Sequence, residues 1–293
     1  MHPVFFTLPI PELLIRFFAG FGITLDATFS IHTYGVMSAL GFFLAITVVN
    51  REASRKGLDA DTVTNLLFGN ILWGVIGSRL LFVALSWQEY VDRPFAILNI
   101  REGGLVFQGG LIAAVVYSLY FVRRQRLPFW KTGDVLILGL PLGHTFGRLG
   151  CLAAGCCYGK STLLPWAITF THPDAAGPPS GLPLHPVQLY ESAGNLLIFV
   201  GLLYLLRRRL RFDGQVLLIY FMAYPILRIF TEVFRGDVVR GFLFEAQLGQ
   251  FLSTSQAISM VELCAAVILY IWRRNRARGE SLAEPLNSLE TAG

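Results

Sequence analysis

The sequence predicts an all-α polytopic membrane protein: seven transmembrane helices, a periplasmic N-terminus, a cytoplasmic C-terminus and a small periplasmic cap. Three observations lead there. Of 293 residues, 54% are hydrophobic and only 15% charged, against about 25% charged in an average soluble domain; the mean hydropathy is +0.57. Apolar runs recur at 34–49, 63–86, 104–122, 132–150, 187–206, 214–234 and 255–272, each near the ~20 residues that cross a ~30 Å hydrocarbon core. The basic residues alternate between connections. Segments 51–61, 123–131, 207–213 and 273–293 hold fifteen of the 24 Lys and Arg, whereas 1–32, 87–103, 151–186 and 235–254 hold six. Positive residues favour the cytoplasmic side, which also accounts for the net charge of +5 without nucleic acid. A soluble enzyme, a disulfide-stapled secreted module and a disordered chain are excluded.

Taken in order, residues 1–33 form an interfacial segment. Pro9, Pro11, Glu12 and Arg16 interrupt its apolar run, and Leu13, Leu14, Phe17 and Phe18 share one side. That pattern predicts an amphipathic piece at the outer interface rather than a secretory signal. Alternating polarity over Ile23–Thr33 predicts a short extended stretch. The membrane domain is 34–274 and includes a Gly- and Pro-rich external loop at 151–186, expected to form a cap without a core of its own. A shorter external loop follows at 235–254. The cytoplasmic tail 275–293 is polar and expected to fray. No internal repeat supports an inverted-repeat transporter.

Ionisable residues within spans are expensive, so they mark candidate sites. At 1.5 Å per residue, Arg79, Arg148 and Arg228 stand roughly 25, 24 and 21 Å above the inner ends of their spans. Gln108 and Glu191 fall at a similar outer level. On the sixth span Tyr224, Arg228, Glu232 and Arg235 are spaced 4, 4 and 3, which puts them on one face. Gln188, Glu191 and Asn195 share a face of the fifth span. His144 and Arg148 lie one turn apart on the fourth, with Asp134 on nearly the same stripe. An i,i+4 pair of Arg228 with Glu232, and arginines reaching to the interface, would explain any one residue alone. Three arginines at one depth exceed two glutamates, and a phosphate-bearing lipid headgroup would complete the balance, because Arg forks onto phosphate. Gly103, Gly104, Gly109 and Gly110 flank Gln108, and Gly143, Gly147 and Gly150 surround Arg148. Such glycines allow close helix approach or present backbone N–H groups to phosphate; packing is the expected role of Gly143.

At these residues the chain resembles the prolipoprotein diacylglyceryl transferases of the bacterial inner membrane, from about residue 30 to 272. The matching motifs are Tyr34-Gly35, Gly77-Ser78-Arg79, Glu102-Gly103-Gly104-Leu105 and Phe107-Gln108-Gly109-Gly110-Leu111. Asp134, Gly147-Arg148-Leu149-Gly150, the stretch His185 to Glu191 and the stretch Arg228 to Arg235 follow in order. The resemblance implies transfer of a diacylglyceryl group from phosphatidylglycerol to the lipobox cysteine thiol of secreted precursors, with glycerol phosphate released. It implies that Arg148 holds the headgroup and that Arg228 is a second essential arginine. It also implies importance for Tyr34, Tyr224, Glu232, Arg235 and Asp134. This chain departs from the family pattern in two places. Gln108 stands where the family has histidine, and an amide is no base at neutral pH. Cys151, Ala154 and Cys156 replace three polar residues after the fourth-span signature.

A thiol with pKa ≈ 8.5 must ionise to attack, and the departing phosphate needs charge stabilisation. Arg148 and Arg228 suit both tasks, since their field also lowers a thiol's pKa. On this reading Gln108 orients the headgroup, Gly109, Gly147, Tyr224 and Arg235 line the binding site, and Glu191, Tyr34 or His185 receives the proton. No cofactor and no resident metal are expected. Cys151, Cys156 and Cys157 predict a disulfide from Cys151 to Cys156 or Cys157. The lesser reading, a metal site with His144, His172 or His185, fits no common zinc spacing. Cys264 is read as core filler. Two competing functions are a related phospholipid-using transferase with another acceptor, and a non-catalytic lipid-binding or lipid-transporting protein.

Overall fold

The computed structural model describes residues 3–19, 27–91, 96–97, 104–173, 175–179, 181–208, 210–237, 241–242 and 252–290, with backbone only at 18–19 and 280–290. The chain is mostly helical. Among the described residues, six stretches are long and apolar enough to cross a membrane: Thr33–Arg55, Ala60–Leu85, Phe129–Ala154, Val187–Arg208, Gln215–Glu232 and Thr254–Gly279. The helix at Phe107–Arg124 has 18 residues. It is not one of these six, because Gln108 and two arginines take up its ends. The chain is an all-α polytopic membrane protein, in two compact units: 1–45 with 137–293, and 46–136.

In the first unit, strand β1 (Val4–Pro9) pairs antiparallel with β2 (Thr28–His32). Helix α1 (Glu12–Ala19) lies in their connection. The amphipathic helix and an extended piece were expected; the strand at 4–9 was not, because no alternation precedes Pro9. Leu13 and Phe17 are exposed, and Arg16 donates to Glu12 at 2.6 Å. Helix α2 (Thr33–Arg55) follows directly and runs on into the second unit.

The second unit holds α3 (Ala60–Leu85), α4 (Phe107–Arg124) and α5 (Phe129–Leu136). Asp59 caps α3 by accepting from the Thr62 amide at 2.8 Å, satisfying one orphan donor of the first turn. Those hydrogen bonds from Thr62 hold the Asp59 carboxyl below its usual range. Helices α3 and α4 approach through glycine. A Cβ on Gly109 would overlap the Gly77 carbonyl, and one on Gly110 would stand 2.7 Å from the Gly74 carbonyl. Neither backbone can yield, so Gly109→Ala is expected to part the helices and cost about 1–3 kcal/mol, read as a lower melting temperature in detergent. The helix pair also lines an apolar groove of about 530 Å³ between Trp73 and Tyr120.

Returning to the first unit, α6 (Gly139–Ala154) begins after a turn at 137–138. Pro141 falls in its first turn, where a missing N–H costs nothing. The fourth apolar run is therefore two helical segments joined by that turn, with Asp134 on the first and His144 and Arg148 on the second. Helices α7 (Val187–Arg208), α8 (Gln215–Glu232) and α9 (Thr254–Glu290) complete the unit. Packing runs α6 on α7, α7 on α8, and α8 on α9. Helix α9 continues to Glu290 through the tail expected to fray.

The loop after α6 does have a core, contrary to the sequence expectation. Tyr158, Phe170 and Leu184 are buried together, with Leu152 and Ile168 against them. Tyr158, Phe170 and Leu184 are far apart in sequence, so the core exists only once the chain folds back on itself. Strands β3 (Ile168–Thr169) and β4 (Pro183–Leu184) pair antiparallel. Lys160 N donates to Phe234 O at 2.8 Å and Gly236 N to Tyr158 O at 3.1 Å. The cap is thus stitched to the segment just beyond α8. A Cβ on Gly236 would stand 2.5 Å from the Gly159 carbonyl, which explains glycine there.

Candidate functional site

Glu191 is the centre of the site. It lies on the first turns of α7, one turn after Val187, and its side chain is 5% exposed. Arg148, from α6, pairs through Nε with one carboxylate oxygen. Arg228, from α8, donates Nη1 to the other at 2.8 Å. Thr231 Oγ1 donates to that same oxygen at 3.3 Å, and Arg235 Nη1 approaches it to 3.8 Å. One carboxylate therefore joins three helices' worth of charge.

A second carboxylate extends the network. Glu232 Oε2 lies 2.9 Å from Arg228 Nη2 and 3.9 Å from Arg235 Nε. Arg228 Nη2 also donates to Ser255 Oγ on α9 at 3.2 Å. Arg235 is forked onto Asp237, at 3.0 and 2.6 Å, the bidentate geometry that suits guanidinium best. Sequence spacing placed Arg228, Glu232 and Arg235 on one face; it missed Thr231, Ser255 and Asp237, which join from other spacings or another helix.

The three guanidinium groups differ in access. The Arg235 side chain is 7% exposed, Arg228 15% and Arg148 23%. Glu191 is the sole acidic partner of Arg148 among the described residues. One carboxylate shared in this way cannot occupy all five donors of that fork. Arg148 is the group with capacity left for an anion. Beside it, a Cβ on Gly147 or Gly143 would meet no atom within 4 Å, while the Gly143 backbone packs against Gly41 of α2, whose own Cβ would stand 3.5 Å from the Gly143 Cα. A Cβ on Gly150 would press on Tyr34, 3.2 Å from its Cα, and this close approach seats Tyr34 against α6. The Tyr34 hydroxyl bonds Ser38 within electrostatic reach of Arg148. Tyr224 also feels Arg148, Arg228 and Glu191. Its ring lies 5.3 Å from that of His144 and 5.7 Å from that of Tyr220.

Both oxygens of Glu191 are engaged by guanidinium groups, the arrangement of a counterion that positions arginine. Arg79 belongs to the second unit. Its Nε and Nη2 donate to the carbonyls of Ile97 and Ala96, each at 2.8 Å, and Nη1 to Gly104 at 3.1 Å. Phe82 and Tyr90 face its guanidinium at 5.6 and 5.5 Å. It clamps a loop of the second unit. Gln108 is exposed in the first turn of α4 in that unit. The Gly109 amide is already bonded to Val106 O at 3.1 Å, which removes it as a phosphate donor. Asp134 is buried in the second unit. Glu102 and Gly103 lie outside the described residues.

All four cysteines are free, so the expected disulfide is not formed. The local sequence explains where three of them go. Gly155 ends α6 in the left-handed region at φ 79°, and the Cys156 amide returns to Cys151 O at 3.2 Å, a Schellman closure. Cys157 is also left-handed, at φ 59°. The chain folds back over the helix end and brings the Sγ atoms of Cys151, Cys156 and Cys157 within 4.8 Å of one another. Gln188 Nε2 donates to Cys156 O at 2.8 Å, tying this turn to α7. The Cys156 thiol donates to the Cys151 carbonyl at 3.7 Å, and the Arg235 and Arg148 guanidinium groups act electrostatically on Cys157. His185 is engaged instead with Tyr190, 3.2 Å away, and the Tyr190 hydroxyl accepts from Trp166 at 2.8 Å.

A helical membrane protein whose helices bring arginines and carboxylates into one buried cluster, with one guanidinium partly open, is of the class with a functional site inside its spans. The comparisons narrow this. Residues 22–272 match the family described as prolipoprotein diacylglyceryl transferase. The phosphatidylglycerol–prolipoprotein diacylglyceryl transferase of Finegoldia magna is 34% identical over 238 residues, covering 81% of this chain and 89% of its own length. That of Clostridioides difficile is 33% identical, covering 82% and 89%, and that of Synechococcus elongatus 31%, covering 83% of each. The chain belongs to the prolipoprotein diacylglyceryl transferase family.

Proposed function

We propose that this chain transfers the diacylglyceryl group of phosphatidylglycerol to the lipobox cysteine thiol in the signal peptide of secreted prolipoproteins, the first step of bacterial lipoprotein maturation. The observation that carries the reading is the sharing of Glu191 by Arg148 and Arg228. That contact draws two cations from separate helices to one point, where they can hold the headgroup and stabilise the departing phosphate. Substrate sulfur attacks the glycerol carbon, the C–O bond breaks, and the electron pair leaves on glycerol phosphate. Tyr34 and Tyr224 flank this point, while Glu232 pairs with Arg228 and keeps it in place. The protein is a multi-pass protein of the bacterial inner membrane. It has seven spans with α4 among them, basic connections in the cytoplasm, a periplasmic cap at 151–186 and a tail at 275–293 on the cytoplasmic side. Residues 1–33 rest on the outer interface, with Leu13 and Phe17 toward lipid.

Rescue of a bacterial strain depleted of its own diacylglyceryl transferase tests the reading. Growth with lipidated precursor is expected; stable expression without lipidation would overturn it. Two site residues give graded outcomes. Gln108→Ala is expected to slow turnover about tenfold or more, from loss of a hydrogen bond to a charged group of about 1.5–3 kcal/mol; undiminished turnover takes Gln108 out of the scheme. Gly147→Ala meets no protein atom within 4 Å and is expected to raise stability by roughly 0.5–1 kcal/mol. Gly147→Val should instead lower lipid turnover while the protein still folds, seen as a raised KM for phosphatidylglycerol.

A further inference from the structure

The three-cysteine cluster at the end of α6 is a feature that the phosphate-holding network does not use. We propose that Cys151, Cys156 and Cys157 form a binding site for a thiophilic divalent cation of the zinc class, whose remaining coordination position takes the acceptor's thiol.

Zinc–thiolate bonds are about 2.3 Å long, which places sulfurs about 3.8–4.0 Å apart around one ion. The three Sγ atoms already lie mutually within 4.8 Å, so small rotamer shifts close the site. The backbone is built for it. Gly155 turns the chain and Cys157 holds φ 59°, a conformation that costs a non-glycine residue about 1–2 kcal/mol. Gln188 fastens the Cys156 carbonyl to α7. An odd number of thiols cannot all be paired as disulfides, whereas three thiolates suit one ion. Binding a divalent cation through three thiolates leaves one net negative charge, and Arg148 and Arg235 both act electrostatically on Cys157.

Among the described residues no histidine or carboxylate joins the three sulfurs within that distance. Three protein ligands with an open fourth position is the arrangement of catalytic rather than structural zinc. A coordinated thiol is deprotonated outright. Cys151 follows Arg148 by three residues on α6, so an acceptor sulfur held here is delivered beside the arginine that holds the headgroup. It loses its proton to water on coordination, then forms the C–S bond as the C–O bond to phosphate breaks. This part of the inference rests on the transferase reading, and it supplies the thiolate in a chain that has Gln108 in place of a base.

The test uses the purified full chain under reducing conditions. Titration with cadmium should produce the ultraviolet thiolate-to-metal band, saturating at one ion per chain. Single variants C151S, C156S and C157S should each weaken uptake at least tenfold, and C264S should match the parent. Melting curves guard against misfolding: cadmium should raise the melting temperature of the parent and C264S but not of the triple serine variant. X-ray absorption at zinc should gain a sulfur neighbour on adding a lipobox peptide, and none when its cysteine is serine. Absence of the band, uptake indifferent to the three substitutions, or a disulfide within the trio in the reduced, active protein would overturn the site. An unchanged zinc shell with the cysteine peptide, or full transfer by the triple variant, would overturn the acceptor role while leaving the transferase reading intact. Failure of the parent to lipidate any precursor would sink that reading and with it the acceptor role, while cadmium uptake would still decide the site.

Discussion

Arg148→Ala is expected to lower diacylglyceryl transfer about 10²–10³-fold, the usual loss when one preorganised donor to a developing anion is removed. Arg148 is the most open of the three clustered guanidinium groups and has the fewest acidic partners, so its donors are those that a phosphate can reach. Arg148→Lys is the informative companion. A lysine retains the charge but not the planar fork, and should recover part of the rate while phosphatidylglycerol binding remains weak. Transfer measured with purified enzyme, phosphatidylglycerol vesicles and a lipobox peptide reads both. Full activity of the alanine variant would remove the mechanism, because the most accessible cation of the cluster would then be dispensable.

Glu191→Ala should act through the fold as well as through the chemistry. This carboxylate is buried and engages Arg148, Arg228 and Thr231, with Arg235 close by. Deleting one partner of a buried pair commonly costs about 3–5 kcal/mol, because an uncompensated charge stays behind. The variant is expected to melt markedly lower in detergent and to lose transfer. Glu191→Gln keeps the shape and part of the hydrogen bonding, so it should be the milder of the two in stability while still inactive or nearly so. A Glu191→Ala protein with parental stability would show that the arginines are held by something other than this carboxylate.

The contrast between Arg79 and Arg235 shows how far the sequence carries. Depth within a span placed Arg79 with Arg148 and Arg228, yet it closes a loop of its own unit through carbonyls of Ala96, Ile97 and Gly104. Arg235, just beyond α8, takes a place in the network because backbone bonds from the cap pin its segment. Residue depth follows from counting along a helix, but the loop that folds onto a helix end does not. For Gly109, type and position suited a phosphate donor, but the amide is used by its own helix start and the missing Cβ by Gly77.

By itself the sequence determined the membrane class, the positions of the apolar helices and the faces that carry Arg228 with Glu232 and Glu191 with Asn195. Each of these depends on local composition or on a helical period of 3.6 residues, which a single segment contains entirely. Only the tertiary structure decided that Glu191 serves arginines of two other helices, that the loop after α6 owns a small core, and that three cysteines meet at one point. Those outcomes depend on the rotation and stagger of packed helices and on where a left-handed turn sends the chain, and no one segment encodes them alone.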